Sequence, residues 1–286
     1  KALQLGADII VCTPGRMIAH LNMGYVSLKG LQFLVLDEAD RMLDMGFQDD
    51  LNKIIKHLPE KKQTLLFSAT MPPKIRQLAK NILIDPIEVN IAISRPPEKI
   101  IQKAFVVFEQ QKLGLVKYLL KTSTYKSALI FCGRKQHVKQ LTRTLRQSGF
   151  AIEEMHSDLE QSQRESVVSA FTSGRLPIMV ATDILSRGID IDTIDLVINY
   201  DVPRDGEDYV HRIGRTARAE ADGMAFTMVG EREQNSFAAI ESLIGKEVEK
   251  AEIPAEFGPA PPYKPRQRTG SGGGTGKPKR KFYNRR

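Results

Sequence analysis

Ten short apolar runs, each four to seven residues long, are separated along this chain by amphipathic stretches. That alternation constrains the fold more than any other feature, because strands that take turns with helices build an α/β layer around a parallel sheet. The expected strands are residues 9–12, 33–36, 64–67 and 87–90 in a first group. A second group comprises 102–108, 127–131, 151–155, 178–181, 195–199 and 225–229. Between them, residues 47–58 place Leu51, Ile54, Ile55 and Leu58 at helical spacing, and 73–81 opens with proline in a first helical turn. Residues 135–148 and 162–173 carry further helical patterns. Arg95-Pro96-Pro97-Glu98 breaks every periodicity and reads as an extended linker. The expected organisation is a first unit over 1–92, a linker over 93–100 and a second unit over 101–253. Four strands make an incomplete sheet for the first; six make a complete one for the second.

From about residue 254 the sequence turns to Pro, Gly and basic residues, with too little apolar content to fold by itself, so 254–286 is expected to be a disordered tail. The glycine-rich run 270–277 does not make a phosphate loop. Ser271 stands where the first glycine of the pattern belongs, Pro278 replaces the Ser or Thr, and neither strand nor helix flanks it. The formal net charge is +8, yet residues 257–286 carry nine Lys and Arg and no acid, which leaves the first 256 at about −1. Any basic groove in the body has to come from local placement. Cys12 and Cys132 lie in apolar, strand-like runs and are expected to behave as small buried hydrophobes; no run approaches membrane-spanning length, and the cytoplasm is the default setting. The chain begins with Lys1, so a fragment starting partway through a domain is the simplest expectation.

The chemistry concentrates after the second apolar run, where residues 33–36 give way to Asp37-Glu38-Ala39-Asp40. A buried strand delivering carboxylates to a sheet edge suits a magnesium ion carrying nucleotide phosphates, and a second acid beside the first can orient a water. An acid-rich helix start, favourable to the helix dipole, explains the same residues equally well. Other motifs break the tie: Thr13-Pro14-Gly15-Arg16 before it, Ser68-Ala69-Thr70 after it, and His211-Arg212-Ile213-Gly214-Arg215-Thr216-Ala217-Arg218 far downstream. In this order and spacing they resemble the DEAD-box RNA helicase family, over about residues 1–253, and 211–221 with the basic tail look like its bacterial RhlE-type branch.

The resemblance implies two RecA-like parallel-sheet domains, the first incomplete, and ATP with Mg2+ as cofactors. Asp37 is then the magnesium ligand and Glu38 the carboxylate that orients the attacking water. Arg215 and Arg218 become arginine fingers on the γ-phosphate, placed on one face of a helix start by their spacing, while Gly188 and Asp190 meet the nucleotide, Asp190 at the ribose. Ser68, Thr70, Asp40 and His211 couple hydrolysis to strand separation, with His211 and Asp40 expected to interact when the two domains close. RNA contacts carried over are Thr13, Gly15 and Arg16 in the first unit and Gly133, Arg134, Gln161, Arg164 and Thr182 in the second. These small, hydroxyl and basic groups suit phosphates and 2′-hydroxyls, so recognition is expected to be independent of sequence. Partners implied are RNA, single-stranded or a short duplex, and ribosome-assembly or RNA-turnover complexes. The family's adenine-reading glutamine motif and phosphate-binding glycine loop are not among these residues, so the expectation is little or no ATP hydrolysis by this piece. Two alternatives stand beside this reading: a non-hydrolytic RNA-binding or annealing module, and a DNA translocase of the same superfamily. His20, His57, His137 and His156 show no metal-ligand spacing with the cysteines.

Overall fold

The computed structural model describes residues 2–90, 100–183, 194–216 and 223–266, and the chain divides into two compact units, Lys1–Ile93 and Ser94–Arg286. Gly188, Asp190 and Arg218 of the expected site lie outside the described residues.

In the first unit the elements run α1 (Ala2–Leu5), α2 (Pro14–Asn22), β1 (Phe33–Leu36), α3 (Ala39–Asp44), α4 (Gln48–Lys56), β2 (Gln63–Leu66) and α5 (Pro73–Ile82). β1 and β2 pair in parallel, Phe33 opposite Gln63 and Leu36 opposite Leu66. Two small clusters hold the helices in place. Met17, Leu28 and Ile54 join α2 to α4, and Leu36, Leu51 and Leu78 seat α4 and α5 against β1. The expected strands at 9–12 and 87–90 are not formed. A strand needs a neighbour to take its backbone hydrogen bonds as well as an apolar pattern, and among the described residues none lies beside these segments. Val11 and Ile87 are each 93 % exposed in consequence, and Cys12 is exposed rather than buried.

The second unit has the order β3 (Ile100–Val107), α6 (Glu109–Thr122), β4 (Ala128–Phe131), α7 (Lys135–Gln147), β5 (Ile152–Met155), α8 (Gln161–Thr172), β6 (Ile178–Ala181), β7 (Leu196–Asn199), α9 (Gly206–Ile213), β8 (Gly223–Gly230), α10 (Gln234–Ile244) and β9 (Glu249–Lys250). Among the described residues seven strands form one parallel sheet in the order β5-β6-β4-β7-β8-β3-β9. Every residue of β4, β6 and β7 is buried, as expected of strands covered on both faces. Successive residues serve opposite layers: Ala128 and Ile130 join the core under α6 and α7, whereas Leu129 and Phe131 join the core under α8. α9 and α10 cover a third cluster containing Tyr209, Phe237 and Val229. Local signals place the helix ends. Gln111 and Gln163, each at the third helical position, accept the backbone N–H of Phe108 and Glu160, and the Asp205 side chain accepts those of Glu207 and Asp208 to start α9.

Residues 254–266, expected to be disordered, are docked on this unit instead. A 3-10 turn at Ala255–Phe257 packs its phenylalanine against α6, and Tyr263 packs against the α10 cluster. Two aromatic anchors and side-chain partners waiting for its backbone outweigh a composition that by itself favours disorder.

Candidate functional site

Because β1 and β2 are parallel and in register, the turns that follow them emerge at one edge. Backbone bonds tie the turns together, with Phe67 N–H donating to Leu36 O at 2.8 Å and Ala39 N–H to Phe67 O at 3.0 Å. Asp40, buried at 6 %, is the centre of the arrangement. Its Oδ2 accepts the Thr70 backbone N–H at 3.1 Å and the Thr70 hydroxyl at 3.0 Å, and its Oδ1 accepts the N–H of Arg41 at 2.9 Å. The Asp40 N–H donates to Ser68 Oγ at 3.2 Å. Ser68 thus satisfies one of the orphan donors of the first turn of α3 from another element, which is a capping task. It does not cap its own helix, since α5 begins at Pro73.

Asp37 and Glu38 differ from Asp40. Asp37 is exposed, with Oδ1 accepting the Glu38 N–H at 2.9 Å. Glu38 occupies the N-cap of α3 in the left-handed region at φ 49°, and its side chain makes no capping hydrogen bond. A non-glycine residue held there costs ~1–3 kcal/mol, an expense that clusters at sites with a task beyond folding. A helix-capping role therefore fails to account for Glu38. Thr13, Gly15 and Arg16 lie exposed at the N-terminus of α2, and the Thr13 hydroxyl is likewise uncommitted to a cap.

The second unit presents its polar loops at the C-terminal edge of the parallel sheet. Gly133 and Arg134, both exposed, follow β4, and Thr182 follows β6. The Thr182 hydroxyl is shielded from solvent, with no hydrogen-bond partner among the described residues. Gln161 begins α8 and donates to Glu165, while the Arg164 guanidinium is occupied by the carbonyls of Leu159 and Ser157 at 3.0 and 3.1 Å, so it braces its own turn. His211 sits in the last turn of α9. The expectation of a helix start here is corrected: Asp205 sets the start upstream, α9 ends at Ile213, and Arg215 lies in the following turn, where its carbonyl accepts the Ile194 N–H at 3.1 Å.

Beneath these loops runs a polar network that sequence reasoning missed. Arg212, 1 % exposed, lies over the Phe131 ring and donates to Asp183 Oδ1 at 2.7 Å, Asn199 Oδ1 at 3.2 Å and the Asp201 carbonyl at 3.1 Å. Asp201 Oδ2 accepts the Gly133 N–H at 2.7 Å and lies 3.1 Å from His137 Nδ1. Lys112, also 1 % exposed, reaches Glu233 at 2.9 Å, Glu109 at 3.1 Å and Asp201 at 3.7 Å. Burial works to lower the Lys112 pKa, but the charge and hydrogen bond of Glu233, with Asp201 and Glu109, more than reverse this and raise it. Burial, with Glu109 nearby, pushes the Tyr200 hydroxyl up to about 12. One signal could have exposed Lys112: it shares the helical stripe of Leu115, Val116 and Leu119, where a charge needs buried partners.

Comparison with known proteins fits both edges. Residues 1–78 match the DEAD/DEAH box helicase profile, and 111–220 match the helicase conserved C-terminal domain. The crystal structure of a DEAD box protein from Methanococcus jannaschii is 39 % identical over 86 % of this chain and 67 % of its own, with a TM-score of 0.52. The chain belongs to the DEAD/DEAH box helicase family. S. cerevisiae Dbp5 bound to RNA and ADP BeF3 is 32 % identical, with a TM-score of 0.77 over 86 % of this chain and 66 % of that one. DEAD-box ATP-dependent RNA helicase 14 of Arabidopsis thaliana is 45 % identical over 238 residues, covering 82 % of this chain and 38 % of its own length. The chain spans about half or less of the curated relatives it matches. The expected α/β class with parallel sheets is borne out. No helix among the described residues is long and apolar enough to cross a membrane.

Proposed function

We propose that this chain is part of an ATP-dependent RNA helicase that binds the RNA backbone and separates short duplexes as ATP is hydrolysed. The observation that carries the reading is the junction of the two motif turns of the first unit: Asp40 receives both the N–H and the hydroxyl of Thr70 and donates to Ser68. A change of position in the acid turn, as phosphate is lost, must be felt by the hydroxyl turn. We assign coupling to Asp40, Ser68, Thr70 and, in the second unit, His211, and ATP and RNA then each tighten the other's binding.

The residues fit a magnesium nucleotide better than a free metal ion. Among the described residues no group of three or more His, Cys, Asp or Glu can hold a metal. A magnesium that keeps its waters and arrives with phosphates needs only one or two carboxylates, and the exposed Asp37 supplies one. When bound, the ion neutralises charge on the phosphates. Asp37 would hold it, the strained Glu38 would orient and deprotonate the attacking water, and Arg215 with Arg218 would supply positive charge to the γ-phosphate. Gly188 and Asp190 receive the nucleotide. Thr13, Gly15, Arg16, Gly133, Arg134, Gln161 and Thr182 contact RNA; Arg164 acts by holding its turn. The exposed positions of Arg16 and Arg134 and the unpartnered Thr182 hydroxyl support this reading.

The domain assignment that accompanies it is the C-terminal part of a first RecA-like domain at 1–92, a linker at 93–100 and a second RecA-like domain from 101. We place the chain in the bacterial RhlE-type branch, in the cytoplasm, with ribosome-assembly or RNA-turnover complexes as its setting. Holding no glycine-rich phosphate loop between a strand and a helix, these 286 residues are expected to hydrolyse ATP slowly or not at all by themselves. The test is unwinding of a short labelled RNA duplex by the full-length protein, with ATP and without, beside a DNA duplex of the same sequence. ATP-dependent separation of the RNA alone is expected. Equal separation without ATP would favour an annealing or clamping module, and a preference for DNA would favour a translocase.

A further inference from the structure

His156, the residue after β5, is 2 % exposed, and its two ring nitrogens keep different company. Nδ1 accepts the Asp158 N–H at 3.2 Å. An accepting Nδ1 puts the proton of the neutral ring on Nε2. That Nε2 is shielded from solvent and has no hydrogen-bond partner among the described residues; Glu154 Oε1 lies 3.4 Å away without the alignment of a hydrogen bond. A buried donor left in this way is destabilising, a loss that an apolar side chain of similar size would avoid.

What the imidazole holds is a turn. The His156 carbonyl accepts the Leu159 N–H at 3.2 Å, and the Ser157 and Leu159 carbonyls accept from the Arg164 guanidinium at 3.1 and 3.0 Å. The Asp158 carboxylate accepts from Lys135 and Lys139 of α7 at 2.9 Å each. Just before the turn, the Met155 carbonyl accepts the Thr182 N–H at 3.2 Å. Three places are joined here: the loop of Gly133 and Arg134, which runs into Lys135; the start of α8 at Gln161; and the end of β6 at Thr182.

The same bond makes the turn sensitive to charge. A protonated imidazole is a donor at both nitrogens, so its Nδ1–H would face the Asp158 N–H and the turn would have to open. Glu154 stands beside Nε2 to receive the cation, and its charge also acts on Lys139. The other charges around the ring are Asp158 in its own turn, Lys135 and Lys139 on α7 and Arg164 on α8. The three cations oppose a further positive charge and the acids favour it. Asp158 is engaged by the two lysines, which leaves Glu154 as the counter-ion. After β6 the neighbour is the uncharged Thr182, and Asp183 beyond it is engaged by Arg212.

Resting on the RNA-binding reading above, we propose that His156 is a positioning residue for that function: its neutral imidazole holds the turn that gathers Arg134, Gln161 and Thr182, and protonation, with the charge received by Glu154, opens the turn and weakens RNA binding.

Anisotropy of a labelled single-stranded RNA bound to the full-length protein, at fixed ionic strength over about pH 5.5–8, tests this, because histidine is the side chain whose ordinary charge change falls in that range. Native affinity should fall ~fivefold toward the acid end, as it would if about a fifth of the molecules kept the turn. His156→Asn keeps an acceptor for the Asp158 N–H and does not titrate, so it should bind as the native protein does at the alkaline end and lose most of the acid weakening. His156→Leu lacks the acceptor and should bind throughout as weakly as the native protein does in acid. Should that variant not fold, as a thermal melt will show, the asparagine variant carries the test. Glu154→Gln should move the loss of binding to lower pH. A flat native profile, or a loss undiminished in His156→Asn, overturns the proposal. So does a loss that vanishes in His137→Asn, which would assign it to the His137–Asp201 pair. Without RNA, nitrogen NMR of the imidazole should find the proton on Nε2 in the neutral ring; a proton on Nδ1 would sink the positioning role whatever RNA does. If Arg134→Ala and Gln161→Ala both leave RNA affinity unchanged, the RNA reading of these loops falls, and the proposal with it.

Discussion

The two units carry polar sites of opposite construction. In the first, two paired strands support a site knitted by neighbours: Asp40 meets Ser68 and Thr70 directly, and large apolar residues such as Val11 and Ile87 stand in the open. In the second, seven strands support loops braced from below by Arg212 and Lys112, both buried to 1 % exposure, whose partners come from the ends of β4, β6, β7 and β8. A site that must move needs short local bonds that can be exchanged. One that presents a fixed surface to a phosphate backbone benefits from a framework that cannot give without exposing buried charge.

The largest effect should follow from breaking that framework. Arg212→Ala removes the buried guanidinium that donates to Asp183 and Asn199, at a cost of ~3–5 kcal/mol, read as a lower urea midpoint of the second unit with the first unit's transition unmoved. A loss under ~1 kcal/mol would mean that the network is not what holds the edge. Thr70→Val should cost less, ~1.5–3 kcal/mol for one hydroxyl bond to a carboxylate. In the full-length protein it should lower the factor by which ATP tightens RNA binding more than it lowers stability. Equal affinity gains with and without the hydroxyl would remove Asp40 and Thr70 from the coupling.

The smallest effect concerns the surface. Asp158 accepts from Lys135 and Lys139 at 2.9 Å each, and these hydrogen bonds hold its carboxyl down to about 2. Its folded-state value lies below the usual ~3.9, so whatever stability it contributes is present above that value and is lost as pH falls toward 2. Both partners are exposed and screened, which makes the contribution slight. A carboxyl NMR titration should place the midpoint near 2 and show it rising in Lys139→Ala; an unmoved midpoint would refute the pairing.

How much of this was legible beforehand follows the same division. The apolar runs at 33–36 and 178–181 coincide with β1 and β6 because each has a partner strand; β6 is buried on both faces, whereas Phe33 and Val35 leave one face of β1 open. Residues 9–12 and 87–90 carry the same apolar character without a partner and form no strand, which composition cannot reveal. The motif residues of the first unit were legible as types at fixed spacing, and the meeting of Asp40 with Thr70 follows from a parallel pair in register. Arg212 was visible inside its motif, but not as a buried residue linking the ends of three strands, β4, β6 and β7, since that role depends on which strand ends the topology gathers. The docking of 254–266 was hidden for a similar reason. Gln111, Gly114 and Gln234, which receive this segment, lie over a hundred or about thirty residues away in sequence.

RNA-stimulated phosphate release by the full-length protein, compared with its Glu38→Gln variant, tests the central claim most directly. RNA should raise the rate severalfold or more in the native protein, and Glu38→Gln should lower the stimulated rate by ~10²–10⁴, the usual contribution of a positioned acid-base group, while RNA binding in the presence of ATP is retained. A Glu38→Gln protein that releases phosphate at the native rate would contradict the account, because the strained carboxylate at φ 49° would then have no part in the chemistry assigned to it.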